Sequence, residues 1–273
     1  MEGSINLSID KHIAVITFGH PVHNSMPGYL LADLALHIKK AGESPDIHVI
    51  ILSSGGDRTF CAGASFDELM TITNSEDGKK FFLGFAHVIN AIRKCPKIVI
   101  GRVQGKAIGG GVGIASAVDY CMATHYGSIK LSELALGIGP FVIGPAVERK
   151  IGLSAFSQLA LNATEWQTAA WAKEKGLYHE VFDTIEHMDA YIDDFSQRLS
   201  ATSPSALLAL KQVLWHDTQH WDQLLDERAA ISGRLVITDA AQMAIRASKL
   251  SDQNRPKIEP KSVATPIRIA KSW

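Results

Sequence analysis

Apolar and polar residues alternate in INLSID, residues 5–10. After a short turn comes IAVITF, residues 13–18, and the two runs predict a β-hairpin. The period then lengthens. Leu30, Leu31, Leu34, Ala35 and Ile38 fall on one face of a helix that starts near Pro27 and ends near Gly42. IHVIILSS, residues 47–54, is a short β-branched run with no polar face, as in a strand buried on both sides. The glycine-rich stretch GGDRTFCAG reads as a loop, FFLGFAHVINAIRK as a helix and KIVIGRV as a second buried strand. YCMAT and GSIKL are short strand candidates. Strands alternating with helices to about residue 135 predict an α/β core with largely parallel pairing.

From Val142 onward the pattern is helical. AVERKIG, AFSQLALNA, WQTAAWAKEKG and MDAYIDDFSQRLSA follow one another, and only HEVFD, residues 179–183, reads as a strand. Ser203 and Pro204 supply a cap and a first-turn proline for a further helix. A last long helix is expected from about Trp221 to Lys249, with an irregular tail, residues 253–273.

Composition narrows the function classes. The 273 residues are 46% hydrophobic and 20% charged, enough for a large core. Lys and Arg number 27 against 28 Asp and Glu, so no basic excess points to nucleic acid. No run reaches the roughly 18 apolar residues of a membrane span. MEGSINLSID lacks the basic and apolar regions of a signal peptide, and a cytoplasmic protein is expected. Cys61, Cys95 and Cys121 are an odd, widely spaced set without a C-x-x-C, which suits a reducing compartment and no zinc site. His216 and His220 have a ligand-like spacing but no acidic third partner, so no metal is expected.

Two glycine-containing stretches could carry chemistry. In GKAIGGGVGIASAVDY, residues 105–120, Gly109, Gly110, Gly111 and Gly113 crowd the start of an apolar helix. The spacing is wrong for a dinucleotide fingerprint, no acidic residue lies ~20 positions on, and there is no P-loop lysine. Glycines there can instead bring a ligand close to backbone N–H groups at the positive end of a helix, which suits a developing oxyanion. In FCAGASFDEL, residues 60–69, Ser65 and Glu68 have capping-box spacing, so the Ala64 N–H lies free just ahead of a second helix start.

FCAGAS followed by VQGKAIGGGVGIASAVDY resembles the crotonase family, the enoyl-CoA hydratase/isomerase superfamily. HNSM, residues 23–26, resembles an early family motif whose asparagine opens the first helix, and KLSELALGIGP, residues 130–140, resembles the segment carrying a catalytic glutamate. The resemblance implies a spiral of ββα units over residues 1–200. It also implies a helical C-terminal region, 201–273, that forms trimers or hexamers within the same domain unit. It places Ala64 and Gly110 as the oxyanion hole for the thioester oxygen of an acyl-CoA, and Glu133 as the acid/base group. Coenzyme A is then part of the substrate, with no separate cofactor. Val22 and His23 would meet its adenine end, with Ala62, Gly63, Ser65, Phe66, Gly109, Gly113 and Phe141 as further binding positions.

This chain departs from the family pattern at two places. Ser65 stands where the family usually has aspartate, and still provides a cap. Gly113 stands where the family has its second glutamate. Loss of a general acid/base costs ~10²–10⁴ in rate, which puts two-glutamate hydration of a simple enoyl-CoA in question. Enoyl-CoA hydration or isomerisation with Glu133 as the acid/base group stays the expected activity. An isomerase, a hydratase for a branched or acidic substrate, other enolate chemistry such as decarboxylation or C–C cleavage, and a silent acyl-CoA-binding homologue all stay open. Asp67, Glu68 and His87 are the candidate replacements. GPFVIGP, residues 139–145, with bulky Phe141 and Val142, is a candidate wall for the acyl group.

Overall fold

The computed structural model describes residues 2–253. Strands β1 (Ser4–Asp10) and β2 (Ile13–Gly19) form the expected antiparallel hairpin. Helix α1 (Gly28–Glu43) buries Leu30, Leu31, Leu34 and Ile38. Its first cap is Pro27 rather than Asn24. The Asn24 Nδ2 donates to the carbonyls of Gly55 (2.7 Å) and Thr59 (2.8 Å), and its Oδ1 accepts from the His20 N–H. Asn24 therefore pins the turn before α1 to the strands beside it.

Strand β3 (Val49–Ser54) is buried at every residue. Then come β4 (Thr59–Cys61), the one-turn helix α2 (Phe66–Leu69), and the long helix α3 (Ser75–Lys94). Asn74 caps α3 by accepting from the Asp77 N–H at 2.9 Å. Asn74→Ala is expected to cost about 1 kcal/mol of stability, read as a lower midpoint in thermal denaturation. Strand β5 (Ile98–Val103), β6 (Lys106–Ile108), helix α4 (Gly110–Ala117), β7 (Tyr120–Thr124) and β8 (Ile129–Lys130) follow.

The strands make two sheets. The larger has the order β1-β2-β3-β5-β7-β9, closed by β9 (Glu180–Phe182), and every pairing after the hairpin is parallel. The smaller, β4-β6-β8, is wholly parallel. Sequence reading found only its β8, within GSIKL, because strands of two or three residues carry no measurable period.

Helices α5 (Gly144–Leu161), α6 (Ala169–Glu174), α7 (Ile185–Ser200), α8 (Pro204–Leu214), α9 (Trp221–Val236) and α10 (Asp239–Gln253) make up most of the rest. Gly152, at φ +74°, breaks α5 between the two segments read separately in the sequence. The single long helix expected from Trp221 to Lys249 is two, because Thr238 ends one and caps the next. Its hydroxyl donates to the Leu235 carbonyl and accepts from the Ala241 N–H. A buried polar cluster ties α8 to the core: Asp119, just past α4, accepts from Lys211 Nζ, Trp215 Nε1 and the Val99 N–H. None of the described helices is long and apolar enough to cross a membrane. The irregular tail expected at 253–273, which ends the region assigned to trimer formation, lies outside the described residues but for its first position, where Gln253 closes α10.

Candidate active site

The smaller sheet assembles the site. Its three strands are parallel, so their C-terminal ends lie along one edge, the usual place for a ligand in such sheets. One end delivers residues 62–65, the next Gly109 and Gly110, the third Ser132 and Glu133.

In the first loop every backbone N–H but one has a partner. Ala62 donates to the His23 carbonyl, Gly63 to the Cys61 sulfur at 3.4 Å, and Ser65 to the Met26 carbonyl. The Ala64 N–H donates to none of the described residues. The Ser65 hydroxyl accepts from the Glu68 N–H at 3.4 Å, but the capping box closes only halfway. Glu68 turns away and its Oε2 accepts from the Gly28 N–H at 2.7 Å, at the start of α1. Gly63, at φ +84°, lets the two loops meet. A Cβ there would stand 2.8 Å from the Ile108 carbonyl oxygen and 3.4 Å from the Gly110 nitrogen.

The second loop turns into α4 at Gly109, φ +51°. Gly109 donates to the Lys130 carbonyl, while Val112 and Gly113 donate back to Gly109. The Gly110 N–H donates to none of the described residues and opens α4, where the helix dipole favours negative charge. Close neighbours explain the glycines. A Cβ on Gly109 would lie 2.7 Å from Glu133 Oε1, on Gly110 2.1 Å from the Phe85 ring, and on Gly111 2.5 Å from the Cys61 carbonyl oxygen.

Glu133 therefore leans over Gly109, the residue before Gly110. Its Oε2 is buried with no hydrogen-bond partner. Burial pushes its carboxyl up from 4.5 to about 7. A carboxyl poised there can both take and return a proton near neutral pH.

A cavity of about 430 Å³ opens at this edge. Ala64, Gly110 and Glu133 line it, and so do Val22, His23, Ala62, Gly63, Ser65, Phe66, Gly109 and Phe141. Gly113 does not. A Cβ there would stand 2.4 Å from Ile143 Cγ2 and 2.6 Å from Ile143 Cβ, so Ile143 fills the space a side chain would need and itself lines the cavity. The candidate replacement carboxylates already have partners. Asp67 lines the cavity but is exposed and pairs with Lys249, which also lines it, and Glu68 accepts from the Gly28 N–H at the start of α1. His87 lies in a separate groove of about 740 Å³ over α1 and α3. Among the described residues no cluster of three or more His, Cys, Asp or Glu could hold a metal ion.

Sequence reading placed Ile143 within its candidate acyl wall, 139–145, but missed the rest of the apolar lining: Leu69, Phe82, Phe85, Leu136 and Ile138. It also missed Trp166, whose ring has Lys106 and Lys130 Nζ each 4.9 Å from its centroid. Leu69, Leu136 and Ile138 sit inside the quoted motifs without being marked by them, and Phe82, Phe85 and Trp166 reach the cavity from segments that carry no motif.

A family model described as enoyl-CoA hydratase/isomerase matches residues 8–246. The chain belongs to that family. Among its relatives, the peroxisomal Delta(3,5)-Delta(2,4)-dienoyl-CoA isomerase of Arabidopsis thaliana is 26% identical, over 92% of this chain and 95% of its own. The short-chain-enoyl-CoA hydratase of Clostridium acetobutylicum is 27% identical, over 77% and 80%. The fold matches the crystal structure of an enoyl-CoA hydratase from Bacillus halodurans with a TM-score of 0.82, at 21% identity, over 89% of this chain and 99% of that one. The spiral α/β core with a helical C-terminal part is thus the fold of this family.

Proposed function

We propose that this enoyl-CoA hydratase/isomerase family enzyme works as an isomerase, moving the double bond of an acyl-CoA with Glu133 as its one proton carrier. The observation that carries this reading is the pairing of Glu133 with Ile143. One buried carboxyl titrating at about 7 leans into the cavity, and a hydrocarbon side chain fills the place of a second. Hydration needs an activated water and a proton donor. A 1,3-proton shift needs one group able to do both halves of the transfer.

In this reading the thioester oxygen sits between the Ala64 and Gly110 N–H groups, and coenzyme A leaves the cavity past Val22 and His23. Ionised Glu133 removes a proton from carbon 2 of a 3-enoyl-CoA. The electron pair moves to the thioester oxygen as a dienolate, where each N–H is worth ~2.7–4 kcal/mol of charge stabilisation. The protonated carboxyl then returns the proton to carbon 4, giving the 2-enoyl-CoA. The relatives include a protein named as an isomerase. A homotrimer or homohexamer is the assembly this reading takes as the working form.

The test is incubation with 2-enoyl-, 3-enoyl- and 3-methylglutaconyl-CoA in D₂O, followed by mass spectrometry. Double-bond migration without water addition is the expected result. Accumulation of a 3-hydroxyacyl product, or no reaction with any thioester, would overturn the reading.

A further inference from the structure

The inner end of the cavity leaves the smaller sheet and runs between helices. Phe85 covers Gly110, and Phe82, one turn earlier on α3, continues the wall with Leu69 and Leu136. Helix α9 crosses α3 where Gly78 meets Gly233. A Cβ on Gly78 would lie 2.9 Å from the Gly233 Cα. Two turns of α3 separate Gly78 from Phe85, about 10 Å along the axis. Ser232, next to Gly233, lines the cavity at this crossing.

Ser232 is 1% exposed. Serines in helices commonly turn the hydroxyl back on the preceding turn, and Ser157, Ser196 and Ser200 each do so in this chain. The Ser232 hydroxyl makes no hydrogen bond to any described residue, and unlike that of Ser116 it is not sealed off. It is a buried polar group at the cavity wall. Such a group is normally satisfied by a ligand or a water. A plain alkyl chain leaves it unpaired. Among the described residues, cations near this crossing are already engaged. Lys79, whose backbone abuts Gly233, pairs with Asp226, Lys249 pairs with Asp67, and Lys130 lies by Trp166, so an end carboxylate is not favoured there.

Building on the acyl-CoA reading above, we propose that Ser232 recognises an oxygen function far along the acyl chain. The substrate class is then a neutral, medium-length acyl thioester with a hydroxyl or oxo group toward the far end of its chain.

The test is equilibrium binding of saturated thioesters, which bind without reacting. Octanoyl-CoA is compared with the positional isomers of its hydroxy and oxo derivatives, substituted at each of carbons 5 to 8. At least one isomer is expected to bind about three- to tenfold more tightly. Ser232→Ala should remove that gain and leave octanoyl-CoA binding within about twofold, which also shows that the variant is folded. The proposal is overturned if no isomer gains, or if the gain survives Ser232→Ala. Failure of octanoyl-CoA itself to bind would count against the acyl-CoA reading and this one together. Because the readout is binding, a failure of double-bond migration would leave it standing.

Discussion

Glu133→Gln is expected to lower kcat/KM by about 10²–10⁴-fold and, at alkaline pH, to stabilise the fold. Both effects have one cause. The carboxyl is held where its charged form is poorly solvated, with Oε2 unpartnered and its pKa pushed up to about 7. Its ordinary value is 4.5. Between these two values the folded state keeps a proton that the unfolded chain has released. The site therefore costs nothing below pH 4.5, and its penalty grows as pH rises, levelling off above about 7. Gln does not titrate and carries no such penalty. The variant should melt higher than the parent at pH 8 by on the order of 1–3 kcal/mol, with the difference vanishing at acid pH. Activity of the parent runs the other way, since the base must be ionised: kcat/KM should fall about tenfold per pH unit below about 7. Retained activity in the variant would remove Glu133 from the reaction. An unchanged melting difference across pH would show that its carboxyl is not strained by burial.

β1 and α1 were legible because their residues repeat at two or at 3.6 positions over six or more residues, and β3 and β5 because their runs are apolar with no polar face. Helix ends were legible where one residue decides them, as at Ser203, and misread where a cap interrupts a continuous apolar pattern, as at Thr238. The loops that bear the site could be found because glycine is costly in an ordered element, so a run of it needs a reason. Those reasons could not be read. Gly110 yields to Phe85, Gly111 to Cys61 and Gly113 to Ile143, each 25 or more residues away along the chain. The parallel β4-β6-β8 edge was equally hidden, although it alone brings Ala64, Gly110 and Glu133 together. Local pattern located the parts. Long-range packing decides which of them share a cavity.

Gly113→Glu alone is expected to fail as a fold, and Gly113→Glu combined with Ile143→Gly to recover it and change the reaction. In the single variant the new Cβ lands 2.4 Å from Ile143 Cγ2 and 2.6 Å from its Cβ. The Cβ is fixed to the backbone and Ile is stiff at χ1, so no rotation relieves the clash. Overpacking costs about 1–3 kcal/mol, and the new carboxylate adds the cost of burial without a partner. Replacing Ile143 by Gly removes the obstruction at a position where glycine is tolerated, since Ile143 is the first cap of α5. The cavity then holds two carboxyls, and like charges at close range raise at least one pKa further. One can activate a water while the other supplies a proton. Hydration of a 2-enoyl-CoA should rise by at least about tenfold over the parent, given that one general acid/base contributes ~10²–10⁴, and isomerisation should fall. Thermal denaturation establishes that the double variant folds, and mass spectrometry of the products reads the change. A folded double variant that adds water no faster than the parent would mean that Ile143 does not stand in for a carboxylate. The preference for moving a double bond would then have to come from some other part of the cavity wall.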